Sequence, residues 1–142
     1  MPEPIATPSV RFTAGPYSPA VRAGDWIVCS GQIGVNPTTG ELANGLDEQV
    51  RQALANVTAL LGDTSCTWND VAKVTCFLAT DPDSDPNSWS RVNEIYTEVI
   101  GTARPARSTV GVAWLPLGAL FEIEVWAQAH NPQAHNPQTH NL

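Results

Sequence analysis

Two arginines, Arg104 and Arg107, open a stretch that runs to Pro116 without a single Asp, Glu or Lys. Pro105 fixes its own φ and biases Arg104 towards extended backbone. Arg107 therefore enters a strand on a stiff lead rather than a loose loop. A planar, always-charged fork at the mouth of a strand is suited to grip a carboxylate through two parallel hydrogen bonds. The competing reading is a structural salt bridge to one of the chain's own acids. Further on, Leu120 to Ala129 alternates cleanly. Phe121, Ile123, Val125 and Ala127 fall on one face, and Glu122, Glu124, Trp126 and Gln128 on the other. Both carboxylates thus point the same way, either into solvent or, given Trp126 beside them, under a covering subunit.

The absences narrow the chemistry. His130, His135 and His140 all lie at the C-terminal end, so residues 1–129 hold no histidine. A Ser-His-Asp triad, a Cys-His pair and a His-rich metal site within the domain are excluded. Lys73 is the chain's only lysine and sits in an apolar run that gives no argument for a Schiff base. There is no Walker A pattern and no GxGxxG. Acid–base chemistry must come from carboxylates, tyrosine, backbone and water. The chain has 142 residues and a net charge of −7, one domain's worth of core and a poor match for nucleic acid or an anionic membrane. Cys29, Cys66 and Cys76 form no CxxC, no apolar run spans a bilayer, and Met1 to Phe12 is unlike a secretory signal. A reduced, cytoplasmic protein is expected.

The elements that must hold these groups follow from periodicity. Val10 to Phe12 is a candidate short strand. Tyr17 is held between Pro16 and Pro19 on a stiff turn, and either lines a site or covers the core. Asp25 to Ile33 is a strand in which Gly31 marks either a bulge or a close approach by a ligand or backbone. Asn36 to Gly40 is a turn. Leu46, Val50, Leu54, Val57 and Leu61 stripe a helix that Gly62 is expected to stop. Val71 to Leu78 is a strand. Thr80 to Ser88 is an acidic loop that lacks the EF-hand glycine and terminal glutamate. A second helix runs to Ile100, capped by Asp85 or Asn87, with Trp89, Val92, Ile95, Tyr96 and Val99 as its stripe and Asn93 at the edge. Asn93 makes either a structural bond or a ligand contact. Thr109 to Leu115 and Leu120 to Ala129 complete a mixed sheet with both helices on one face. Residues 130–142 repeat His-Asn-Pro-Gln and read as a disordered tail.

These pieces, in this order, resemble the reactive-intermediate deaminase family, RidA or YjgF. The resemblance rests on Gly15-Pro16-Tyr17-Ser18 and on Ser30-Gly31-Gln32-Ile33 leading to Asn36-Pro37-Thr38-Thr39-Gly40-Glu41. It continues in Val92-Asn93-Glu94-Ile95-Tyr96, Arg104 to Val110, and Leu115-Pro116 leading to Phe121-Glu122-Ile123-Glu124. It covers about residues 14–129, so residues 1–129 are expected to form one domain. It implies a chorismate-mutase-like α+β fold and a homotrimer with clefts between subunits. It implies hydrolysis of 2-aminoacrylate and related 2-imino or 2-enamino acids to 2-keto acids and ammonia, with no metal and no cofactor.

By the same resemblance Arg107 binds the substrate carboxylate and Glu122 is the acid–base group. Tyr17, Ser30, Gly31, Asn93 and Thr109 fall on pocket positions. Thr109 stands where the best-known members carry cysteine, which rules out thiol chemistry there. The loop from Asp81 to Ser90 is a few residues longer than theirs, and the His-Asn-Pro-Gln tail has no counterpart. Two alternatives stay open: binding of a keto acid or amino acid without turnover, and deamination of a larger, catabolic enamine.

Overall fold

The computed structural model describes residues 1–10 and 15–130. Its strands are β1 (Glu3–Pro4), β2 (Ala20–Ala23), β3 (Trp26–Ile33), β4 (Val71–Leu78), β5 (Ala106–Gly111) and β6 (Phe121–Gln128). Two helices, α1 (Leu46–Asp63) and α2 (Ser88–Ile100), complete a mixed α+β fold. The strands form one sheet in the order β1-β2-β3-β6-β4-β5. Every neighbouring pair is antiparallel except β4 and β5, whose parallel pairing needs a crossover that α2 supplies.

The expected alternation of β6 decides the layering. Phe121, Ile123, Val125 and Ala127 are buried and join Val50, Leu54, Val57 and Leu61 of α1 in one core. Ile27, Val74 and Cys76 extend the same face across β3 and β4. Glu122, Glu124 and Trp126 face away from both helices. No helix among the described residues is long and apolar enough to cross a membrane.

Four expectations need correction. The strand expected at Thr109 to Leu115 runs from Ala106 to Gly111 instead, because its partner sets its length. β4 pairs it from Lys73↔Ala106 to Leu78↔Gly111 and then ends. Only Val112 N–H still reaches back, donating to Leu78 O at 2.9 Å. The first helix does not stop at Gly62. It continues through Asp63, and the left-handed residue beyond it is Ser65, at φ 60°. The second helix has Asn87 at its N-cap but no side-chain cap, because the Asp85 carboxylate is taken up by a two-bond pair with Arg91, both bonds 2.8 Å. Trp89 leaves the stripe and stands 42% exposed.

Val10 is outside any strand, and Arg11 and Phe12 lie outside the described residues, as do residues 131–142 of the expected tail. The short strand β2 was not expected. It forms a hairpin with β3 through Ala23↔Trp26. The acidic loop is organised by Asp81, whose carboxylate accepts from Asp83 N–H at 3.0 Å and from the Ser84 hydroxyl at 2.6 Å.

Candidate functional site

The Glu122 carboxylate lies directly against the backbone of Gly31. The β3–β6 register slips between Cys29 and Gln32, so Ser30 and Gly31 sit at a bulge. A Cβ on residue 31 would overlap the Glu122 carboxylate. The two open readings of Gly31 are therefore one: the strand bulges, and the bulge admits a carboxylate that any side chain would exclude. Burial pushes the Glu122 carboxyl above the usual range, and the neighbouring Glu124 charge adds to the rise.

Ser30 anchors the turn that carries Tyr17. Its N–H donates to Pro19 O at 2.8 Å and its hydroxyl donates to Ser18 O at 2.6 Å. Tyr17, Ser30, Gly31 and Glu122 line one cavity of about 270 Å³. Gln32 and Asn56 also line it.

Three buried amides missed in the sequence hold this arrangement in place. Asn56 Nδ2 donates to Ile33 O at 3.1 Å and to Val35 O at 2.9 Å. Gln49 Oε1 accepts from Leu120 N–H at 2.7 Å. Gln32 is buried within the bulge and donates to Ser30 O at 3.3 Å. Between them they fix the end of β3 and the start of β6, which carry Gly31 and Glu122. A signal for two of them was present: Gln49, Ala53, Asn56 and Leu60 form a second helical row beside the apolar stripe of α1.

Arg107 sits elsewhere. It pairs laterally with Val74 on the helix-facing side of β5. Its Nη2 donates to Asn93 Oδ1 at 2.8 Å. Its guanidinium carbon lies 4.6 Å from the Tyr96 ring centroid and 5.0 Å from that of Trp89. Among the described residues its ion-pair partners include no carboxylate. The structural salt bridge is thus replaced by an amide and two aromatic faces, a cation–π clamp that leaves most of the fork's donors unused. The departure of Trp89 from the stripe is explained by this clamp.

Asn93 and Arg107 line an open cavity of about 430 Å³. Thr109, two residues along the strand, shares a third cavity of about 340 Å³ with Trp89 and the Asp81 loop. Its hydroxyl is buried and has no hydrogen-bond partner among the described residues. One chain therefore presents two candidate half-sites on opposite faces of the sheet. Glu122, Tyr17, Ser30 and Gly31 line one; Arg107 and Asn93 line the other, with Thr109 in its own cavity further along β5 and β4 between the two groups.

Comparison with known proteins agrees with the fold and the motifs. The family model described as endoribonuclease L-PSP matches residues 9–129. A RutC family protein of Pyrococcus horikoshii is 41% identical over 128 residues, covering 89% of this chain and 98% of the relative. The human 2-iminobutanoate/2-iminopropanoate deaminase is 40% identical over 124 residues, covering 87% of each chain. The crystal structure of E. coli TdcF with bound serine superposes with a TM-score of 0.81 at 33% identity, covering 90% of this chain and 99% of that one. On its motifs, its fold and these similarities, the chain belongs to the endoribonuclease L-PSP family, the RidA/YjgF family that its sequence resembles.

Proposed function

We propose that the protein hydrolyses 2-imino and 2-enamino acids to 2-keto acids and ammonia, without a cofactor, in clefts between the subunits of a homotrimer. The observation that carries this reading is the Glu122 carboxylate, seated on Gly31 in a cavity with Tyr17 and Ser30 and raised in pKa by burial. A carboxyl whose pKa is raised holds a proton more readily, as a group that must both take and return one requires. The net charge of −7 makes the chain a poor match for RNA despite the family model's name.

The chemistry divides between the half-sites. Arg107 on one subunit holds the substrate carboxylate with donors that Asn93 leaves unused. Glu122 on the neighbouring subunit takes a proton from water as the water oxygen adds to C2 of the imine. It returns that proton to the nitrogen. The adduct's hydroxyl then gives its proton to the Glu122 carboxylate, which passes it to the amine, and a C=O bond forms as the C–N bond breaks and ammonia leaves. An enamine enters by taking a proton at C3 first. Ser30 fixes the loop through Ser18, and Tyr17 borders the space where water and substrate meet. Arg107 reaches Glu122 only across a subunit boundary, which is the support for assembly. The exposed pair Trp26 and Trp126, in edge contact at 6.4 Å on the outer face, supplies apolar surface for it.

Binding without turnover is the second reading. It is supported by the serine held in TdcF, since an amino acid needs only the carboxylate grip. A threonine dehydratase that releases 2-aminocrotonate separates the two. Faster keto-acid formation with this protein, absent with a folded Arg107→Ala variant, is the expected result. No acceleration by the wild type on any imino acid would leave binding alone.

A further inference from the structure

Arg104 takes no part in the reaction above, yet it lines the same 430 Å³ cavity as Arg107. The other walls are Asn93, Tyr96, Thr97 and Pro105, so the lining holds two guanidiniums and no carboxylate. This is unusual in a chain with fourteen acidic and seven basic residues. Arg51 pairs with Glu98, and Arg91 with Asp47 and Asp85. Among the described residues neither Arg104 nor Arg107 has a carboxylate partner.

Arg104 is also held in place. Its Nη1 donates to Gly101 O and Ala103 O, each at 2.7 Å, at the C-terminal end of α2. A cation there is favoured by the helix dipole. That role occupies a single nitrogen of the guanidinium. The remaining donors are already oriented, so a ligand need not bear the cost of ordering a long side chain.

The Tyr96 ring lies under the Arg107 guanidinium and helps to fix it. Tyr96 is 6% exposed, borders this cavity, and its hydroxyl has no hydrogen-bond partner among the described residues. A buried hydroxyl left unpaired is costly. The unused donors of Arg104 and Arg107 thus border one space whose volume suits a small molecule.

We infer that Arg104 and Arg107 bind the two carboxylates of one ligand, so that the preferred substrates are 2-imino dicarboxylates, the imines of acidic amino acids. The turnover part of this inference rests on the deaminase reading; the binding part does not. Arg107 holds the carboxylate beside the reacting carbon. Arg104, three residues earlier on the stiff Pro105 lead, holds the distal one. The enzymes that supply such a substrate are those that oxidise the α-amine of acidic amino acids, or that eliminate water from their β-hydroxy derivatives.

The test begins with calorimetric titration of the wild-type protein with 2-oxoglutarate and with 2-oxobutanoate. The dicarboxylate is expected to bind about tenfold tighter, the scale of a charge-assisted hydrogen bond. In Arg104→Met the advantage should fall to about threefold or less. The same ratio is then read in kcat/KM, with imines of glutamate and 2-aminobutanoate made by amino-acid oxidases and trapped with semicarbazide. Equal affinity for the two keto acids in the wild type overturns the inference, and so does an advantage that survives Arg104→Met. Should that variant fail to fold, the wild-type titrations decide alone. Imines consumed without preference for the dicarboxylate overturn the inference and leave the deaminase standing. Tighter 2-oxoglutarate binding with no imine consumed upholds the two-arginine site and overturns the deaminase.

Discussion

The Arg107 guanidinium and the Glu122 carboxylate stand on opposite faces of one sheet, on strands separated by β4. Arg107 shares a face with Val74 and Val125, whereas Glu122 shares one with Phe77. No rotamer brings them together through the sheet. Activity is therefore expected only in an assembly. Analytical ultracentrifugation should give three times the chain mass of 15.2 kDa. Trp126→Glu, which puts a charge beside Trp26 on the outer face, should yield a smaller species with little turnover.

Replacing Arg107 by Lys keeps the charge and removes the fork. Hydrogen bonds to charged groups contribute about 1.5–3 kcal/mol, so kcat/KM should fall about ten- to hundredfold. The aromatic clamp of Trp89 and Tyr96 also accepts an ammonium, so melting should change little. Steady-state kinetics and a thermal melt on the same preparation check both halves.

Gly31→Ala forces a methyl into the place of the Glu122 carboxylate. Overpacking of this kind costs about 1–3 kcal/mol. The carboxylate must swing away, so turnover should drop together with urea stability. A variant as stable and as active as the wild type would show that the contact is not tight in solution.

Glu122→Gln should separate activity from stability. The folded carboxyl has a raised pKa, so the folded protein binds more protons than the unfolded chain between the two values. Stability from this group is fully present below the unfolded pKa and is lost as pH rises through the folded one. At neutral pH the neutral glutamine should melt higher than the wild type while turnover collapses. The melting advantage should vanish as pH falls below the ordinary glutamate range. Melts across pH with both proteins would reveal an opposite sign.

Asn56→Ala removes the amide that serves Ile33 O and Val35 O. Leaving buried acceptors unpaired costs about 1–3 kcal/mol. Equilibrium urea denaturation should record a loss of that size. Activity should fall further than stability alone explains, because the end of β3 carries the bulge at Gly31.

What the sequence made legible was set by local period. The stripe of α1 and the alternation of β6 follow from residue spacing, and they correctly placed Glu122 on the face away from the helices. The motifs placed Tyr17, Ser30, Gly31 and Glu122, which share one cavity, and Arg107 and Asn93, which share a hydrogen bond. What stayed hidden depends on partners distant in sequence. The ends of β5 are dictated by β4. Trp89 fits the helical period, yet at the start of α2 it turns from the core to the Arg107 guanidinium. Gln49 and Asn56 look like surface amides until the ends of β3 and β6 arrive beside them. The separation of the half-sites is a matter of strand register, which no single stretch encodes.

That separation has a consequence for inheritance. A chain carrying Arg107→Ala retains a sound Glu122 face, and a chain carrying Glu122→Gln retains a sound Arg107 face. Each alone is expected to be inactive. Mixed at random in equal amounts within a ring, about a quarter of the boundaries would pair two intact faces. A cell that makes both defective chains would then recover a phenotype that neither confers by itself, and the lesions of this gene would sort into two complementation groups.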